Sequence, residues 1–109
     1  MPTRKVVEYL EQDGSSPFAK WFAQLDPIAA AKVATALYRL EQGHTSQMKS
    51  IGKGIAEYRI DFGPGYRIYF GQDGEALVIL LGGGTKRRQS ADIRDVQARW
   101  QQYKSRKKR

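Results

Sequence analysis

The segment from Tyr58 to Phe70 is the strongest constraint on how this chain can fold. Ala56, Tyr58, Ile60 and Phe62 alternate with Glu57, Arg59 and Asp61. That period of two places successive side chains on opposite faces of a strand. Gly63-Pro64-Gly65 breaks the pattern with strong turn chemistry. Tyr66, Ile68 and Phe70 then resume it, alternating with Arg67 and Tyr69. The reading is a β-hairpin with a three-residue loop. It predicts the pairs Phe62–Tyr66, Asp61–Arg67, Ile60–Ile68, Arg59–Tyr69 and Tyr58–Phe70. A one-residue slip would drive Arg59 into the core, so the register is strongly specified. One face is apolar. The other carries Arg59, Asp61, Arg67 and Tyr69. A solvated face with cross-strand ion pairs is one account of it. The other is an RNA-facing surface, because guanidinium binds phosphate bidentately and tyrosine offers a stacking plane.

Start and stop signals surround the hairpin. Val6, Val7 and Tyr9 read as an opening strand, and Gln12-Asp13-Gly14-Ser15 as a turn. Ser16 caps a helix with Pro17 at its first position, and Phe18, Trp21, Phe22 and Leu25 share one helical face. Asp26-Pro27 repeats the signal for a longer helix with Ala30, Val33, Leu37 and Leu40 on one stripe and Gly43 as its stop. The two helices are expected to form a helical hairpin. His44 to Ser50 is polar, a loop or a loop with a short strand. Ala76 to Leu81 is apolar on both faces and reads as a central strand, with Gly82-Gly83-Gly84 as its flexible exit. Ser90 caps a last helix carrying Ile93, Val96, Trp100 and Tyr103. The order implies an α+β fold, an antiparallel sheet of about four strands with two N-terminal helices and one C-terminal helix packed on it.

A chain of 109 residues suits one domain, expected over residues 1–103, with residues 104–109 as a basic tail. There are no cysteines, which excludes disulfides and Cys-based zinc sites. One histidine and no cysteine leave no metal constellation, and no cofactor is expected. The longest apolar run is far too short to span a bilayer, and the expected compartment is the cytoplasm. Ten of the 19 Lys and Arg residues lie from Lys86 onward, opposed only by Asp92 and Asp95. The whole net charge of +8 therefore sits there, a block that favours phosphate backbones. Gly82 to Lys86 lacks the spacing of a phosphate-binding loop.

Read together, GKGIAEYRIDFGPGYRIYF, ALVILLGGGTKRRQSADI and the Trp and Tyr of the last helix resemble the RelE/ParE superfamily of bacterial toxins. Within it they are most similar to the HigB-type, phage-Gp49-like group. The resemblance runs from Trp21 to Tyr103. It implies a RelE-like sheet and a toxin held inactive by an antitoxin, a helix-turn-helix protein of the HigA or Xre type. For RelE-like members it implies cleavage of mRNA on the ribosome. Alternatives within the resemblance are a ParE-like gyrase inhibitor without nuclease chemistry and a non-toxic RNA-binding homologue.

The resemblance places a catalytic arginine at Arg67, in the Tyr66-Arg67 pair, and a second basic catalytic position at Lys86 or Arg87. It matches a further basic residue to Arg59. A lysine of RelE-like enzymes falls on Asp61, and a C-terminal tyrosine of some members falls near Ile93. Tyr69, Lys49, Lys53 and Arg88 are added as candidate RNA contacts. A cyclising ribonuclease also needs a base for the 2′-hydroxyl. Glu57 and Asp61 are the carboxylates on the hairpin, and Glu57 is taken as a catalytic candidate. His44 is read as a loop residue.

Overall fold

The computed structural model describes residues 3–75 and 77–108. The hairpin forms with its expected faces but with a five-residue loop, residues 61–65. Strand β3 (Ile55–Ile60) and strand β4 (Tyr66–Asp73) pair as Ile60–Tyr66, Arg59–Arg67, Tyr58–Ile68, Glu57–Tyr69 and Ala56–Phe70. The register expected for a three-residue loop is thus corrected by two positions. An even shift exchanges partners and leaves every side chain on its own face. The loop is longer because Asp61 and Phe62 leave the ladder. The Phe62 amide donates to the carbonyl of Ile60 at 3.0 Å, and the Gly65 amide to that of Phe62 at 2.9 Å. Gly63 and Gly65 take φ of +55° and +81°, which glycine adopts without a Cβ penalty. The Phe62 ring turns toward the helices, where Lys32 Nζ lies 5.1 Å from its centroid.

Three further strands complete a five-stranded sheet. They are β1 (Lys5–Glu8), β2 (Met48–Gly52) and β5 (Leu77–Thr85), in the spatial order β1-β5-β4-β3-β2. Lys5 to Glu8 pair in parallel with Leu77 to Leu80, and the other three pairings are antiparallel. The sheet is therefore mixed rather than wholly antiparallel. Strand β5 carries Val78 and Leu80 on one face and Ile79 and Leu81 on the other, all buried. A strand so apolar on both faces cannot serve as an edge without exposing itself, and β1 covers its free side.

Helices α1 (Pro17–Ala23) and α2 (Pro27–Glu41) begin as expected. Ser16 Oγ accepts from the Ala19 amide at 3.0 Å and Asp26 Oδ1 from the Ala29 amide at 2.9 Å. The sheet is their main partner: α1 packs on β5, and α2 reaches both β3 and β1. Together they enclose one core with Tyr58, Ile68, Phe70 and Leu80. Helix α3 (Gln89–Lys107) encloses a second core on the opposite face, with Tyr69, Ile79, Leu81, Val96 and Trp100.

The glycine triplet does not release the chain. Strand β5 runs through it to Thr85, with Leu81 as a bulge between the Tyr69–Gly82 and Phe70–Leu80 pairs. The glycines make room. A Cβ on Gly83 would lie 2.2 Å from the Trp21 ring, and one on Gly84 would lie 1.9 Å from Asp92 Oδ2. Gly71 in β4 leaves equivalent space for Trp100. The expected flexible exit is in fact a strand on which helices sit at close range.

Helix α3 continues through Lys104, Arg106 and Lys107, so most of the expected tail forms its final turns. Arg106 Nη1 donates to the Leu10 carbonyl at 2.6 Å, and its guanidinium lies 5.2 Å from the Tyr9 ring centroid. Asp73 accepts from Tyr103 Oη at 2.6 Å and from Lys107 Nζ. Lys107 and then Tyr103 hold the Asp73 carboxyl below its ordinary 3.8, while burial and Asp73 push the Tyr103 phenol up to about 12. A depressed carboxylate stabilises fully above its unfolded pKa and loses that contribution as pH falls through the folded one. A raised phenol contributes below its unfolded pKa and loses this as pH rises through the folded one. Amide protection at Tyr103–Lys107 is therefore expected to hold from about pH 4 to about pH 10 and to fall outside that window. Hydrogen exchange corrected for its intrinsic pH dependence measures it, and a loss centred near neutrality would contradict the assignment. Among the described residues, no helix is long and apolar enough to cross a membrane.

Candidate functional site

The loop end of the β3–β4 hairpin opens into a cleft of about 290 Å³. Its walls include Arg59, Asp61, Tyr66, Arg67, Lys86 and Gln47. Three cations reach it from three elements. Arg59 and Arg67 stand directly opposite each other on β3 and β4. Lys86 arrives from the end of β5, where its amide donates to the Gly65 carbonyl at 2.8 Å. Arg59 and Lys86 are exposed, whereas Arg67 is only 8% exposed.

Like charges directly opposite on a sheet repel. One carboxylate lies against this cluster from beneath. Glu57, 1% exposed, accepts from Arg67 Nε at 3.1 Å and from Gln89 Nε2 at 3.0 Å. Among the described residues, the terminal nitrogens of Arg67 make no other hydrogen bond. Nη1 points toward Gly65, 3.9 Å from where a Cβ there would lie. A second cleft of about 320 Å³ adjoins the first, sharing Gln47, Arg59 and Asp61 and adding Lys32 and Arg39 from α2. The combined groove is lined by five cations and Asp61. Such a surface can hold consecutive phosphates of a polyanion, with Arg67 and Lys86 at one end of the track.

The expected site residues divide sharply. Arg59, Arg67 and Lys86 meet in the cleft. Of the two residues offered for the second basic position, Lys86 lines it. Arg87 and Arg88 follow on an exposed 3₁₀ turn (Lys86–Arg88) outside its walls. The expectation of Glu57 as a catalytic carboxylate is corrected: it is absent from the cleft walls and buried against Gln89 of α3, where it cannot reach a 2′-hydroxyl held in the cleft. Tyr69 needs the same correction. It is 0% exposed in the second core, and it cannot stack on a base from there. Helix α3 covers its part of the hairpin face, a consequence of tertiary packing that local alternation does not reveal. Burial pushes the Tyr69 phenol well above its ordinary 10, with Glu57 and Asp92 adding to the shift. Lys49 is exposed on edge strand β2, opposite Glu57 in register but outside the cleft walls. Lys53 lies in the β2–β3 turn at the far end of β3, about 20 Å along the strand from Arg59.

Three contributors have no signal in the local pattern. Gln47 pairs with Arg59 through its carbonyl at 3.1 Å. Gln89, at the first position of α3, reaches Glu57 across 32 residues of sequence. Asp92 fills the space left by Gly84, its Oδ2 buried without a partner among the described residues and its carboxyl raised by burial. The closeness of GGG to the following helix hints at such a contact only once the helix is known to fold back. No group of three or more potential metal ligands occurs among the described residues.

The model of a family described as phage-derived protein Gp49-like (DUF891) matches residues 20–104. The chain belongs to this family. The matched span starts in α1 and ends in α3, so all of the cleft lies within it. The Gp49-like family is associated with toxin–antitoxin modules, and a toxin role is consistent with it. An uncharacterized protein of Haemophilus influenzae is 41% identical over 80 residues, covering 72% of this chain and 81% of its own length.

Proposed function

We propose that this Gp49-like chain is the toxin of a type II toxin–antitoxin module of the RelE/HigB kind, an endoribonuclease that cuts mRNA on the ribosome. The observation that carries this reading is the convergence of Arg59, Arg67 and Lys86 in one open cleft. In such an enzyme the ribose 2′-oxygen attacks its own 3′-phosphorus. The bond to the 5′-oxygen breaks, leaving a 2′,3′-cyclic phosphate and a free 5′-hydroxyl. Negative charge builds on the non-bridging oxygens, and preorganised donors aimed at them supply the largest share of the acceleration. Arg67, held at Nε, offers its terminal nitrogens to those oxygens. Lys86 at the mouth neutralises or protonates the departing 5′-oxygen. Arg59 and the cations of the adjoining groove hold the neighbouring phosphates.

Asp61 is the carboxylate on the cleft wall and takes the role of base for the 2′-proton. Carboxylates are weak bases at neutral pH, so alignment of the mRNA by the ribosome must supply much of the rate. The antitoxin, a helix-turn-helix protein of the HigA or Xre type, would inhibit by laying acidic side chains over the cationic groove. A translating extract charged with the purified chain tests the proposal, with mRNA 5′ ends mapped after short exposure. Cleavage that requires ribosomes is expected. Intact mRNA alongside blocked DNA supercoiling would overturn it in favour of a gyrase-directed toxin.

A further inference from the structure

We infer that Glu57 and Gln89 are positioning residues, which together set the guanidinium plane of Arg67 and anchor the Lys86 turn from beneath the cleft. The inference deepens the function proposed above and rests on it for its kinetic arm alone. The Glu57–Arg67 pair is energetically odd. Glu57 is only 1% exposed, buried beside the second core that holds Ile55, Tyr69 and Leu81. Replacing a buried ion pair by well-packed apolar side chains is often neutral or stabilising, so the pair is poorly explained by stability alone. What it does supply is orientation.

The orientation follows from which nitrogen is used. Glu57 takes Arg67 by Nε at 3.1 Å rather than by the two-nitrogen fork at the tip. A guanidinium is planar and rigid, so fixing Nε on a buried acceptor fixes the plane and leaves the terminal nitrogens free. Without Glu57, Arg59 opposite and Lys86 beside would push the Arg67 side chain out toward water. Its charge would remain, but not its aim.

Gln89 completes the device. Its amide reaches both carboxylate oxygens of Glu57, at 3.0 and 3.4 Å. Only the nitrogen can be the atom that faces them, since the amide oxygen would be repelled. Gln89 follows the Lys86–Arg88 turn directly. The turn is thus pinned at both ends, by the Lys86 amide on Gly65 and by the Gln89 side chain on Glu57. One buried carboxylate therefore governs two of the three cleft cations. It is not itself among the residues that line the cleft.

Glu57→Gln preserves size and tests this directly, with Gln89→Ala as the milder variant should the first lose its fold. The first readout is the Arg67 Nε–H signal in the ¹H–¹⁵N spectrum of the free protein. It is expected to be sharp and slow to exchange in the natural sequence, lost in Glu57→Gln and weakened in Gln89→Ala. The second is mRNA cleavage on ribosomes. Glu57→Gln is expected to lower kcat by about 10- to 100-fold with KM changed less than about threefold, because misplacement costs rate rather than phosphate affinity. Added guanidinium ion should partly rescue Arg67→Ala but not Arg67→Ala/Glu57→Gln. An Arg67 signal that exchanges as fast as that of Arg59, or an unchanged kcat in a folded Glu57→Gln, would overturn the inference. If the natural sequence cleaves nothing while the spectrum behaves as expected, the nuclease reading fails and the positioning stands.

Discussion

Arg67→Ala is expected to slow ribosome-dependent mRNA cleavage by roughly 100- to 1000-fold, the usual cost of removing one preorganised donor to a charged transition state. Single-turnover cleavage of a defined message, followed at saturating toxin, measures it. Arg67→Lys should recover little, since an ammonium keeps the charge but lacks the planar fork and the Nε contact to Glu57. The alanine variant also leaves Glu57 buried and alone. Breaking such a pair costs about 3–5 kcal/mol, so part of the sample could unfold at the assay temperature. Arg67→Met/Glu57→Met separates the two effects. It removes both charges from a site whose side chains are only 10% and 2% exposed, and it should restore stability without restoring cleavage. A stable double variant that still cut mRNA would show that the chemistry lies elsewhere on the surface.

Gly83→Ala is expected to be the most damaging small substitution in the fold. The new methyl carbon would fall 2.2 to 2.5 Å from three atoms of the Trp21 ring system. That ring cannot swing aside easily, because Phe18 and Tyr66 pack against it with centroids at 5.7 and 6.4 Å. Overpacking of this kind costs about 1–3 kcal/mol, and the rigid partner argues for the upper end. At about 4–8 °C per kcal/mol for a domain near this size, the unfolding midpoint should fall by roughly 10–20 °C. Trp21→Ala on its own is also destabilising, but it empties the space in question. The double variant should therefore lose clearly less than the sum of the single losses. Additive losses would mean that Trp21 is not what the added methyl meets.

The contrast between the two ends of the hairpin shows what local pattern can reveal. Alternation assigned each β3 and β4 side chain to its face, and a two-residue change of register left those assignments intact. The starts of α1 and α2 are equally legible, since Ser16-Pro17 and Asp26-Pro27 carry their own capping chemistry, whereas α3 begins at Gln89 and takes its expected cap, Ser90, inside the helix. Loop length was not legible, because Asp61 and Phe62 leave the ladder for reasons that include a lysine on another element. Tyr69 departs from its expected place for a similar cause. Its neighbours in sequence say which way it points, but only the landing place of α3 says whether water is there. The three cleft cations could be named from residue type and resemblance. The support beneath them could not, because Gln89 meets Glu57 only after the intervening strands have assembled.

The parallel pairing of β1 with β5 has a consequence for when the molecule exists at all. Lys5 pairs with Leu77, and strands β2, β3 and β4 all lie between them in sequence. At ordinary elongation rates of about 5–20 residues per second, the first strand waits on the order of 4–15 s for its partner. Lys86 and Gln89 emerge later still. A partly synthesised chain can form the β3–β4 hairpin, with Arg59 and Arg67 in place, but it lacks the third cation and the helix that buries Glu57. The cleft is therefore completed only once residues 86–107 have followed the hairpin into the fold. If its target is the translating ribosome, the machine that makes it meets no finished cleft until Lys86 and helix α3 have joined the fold.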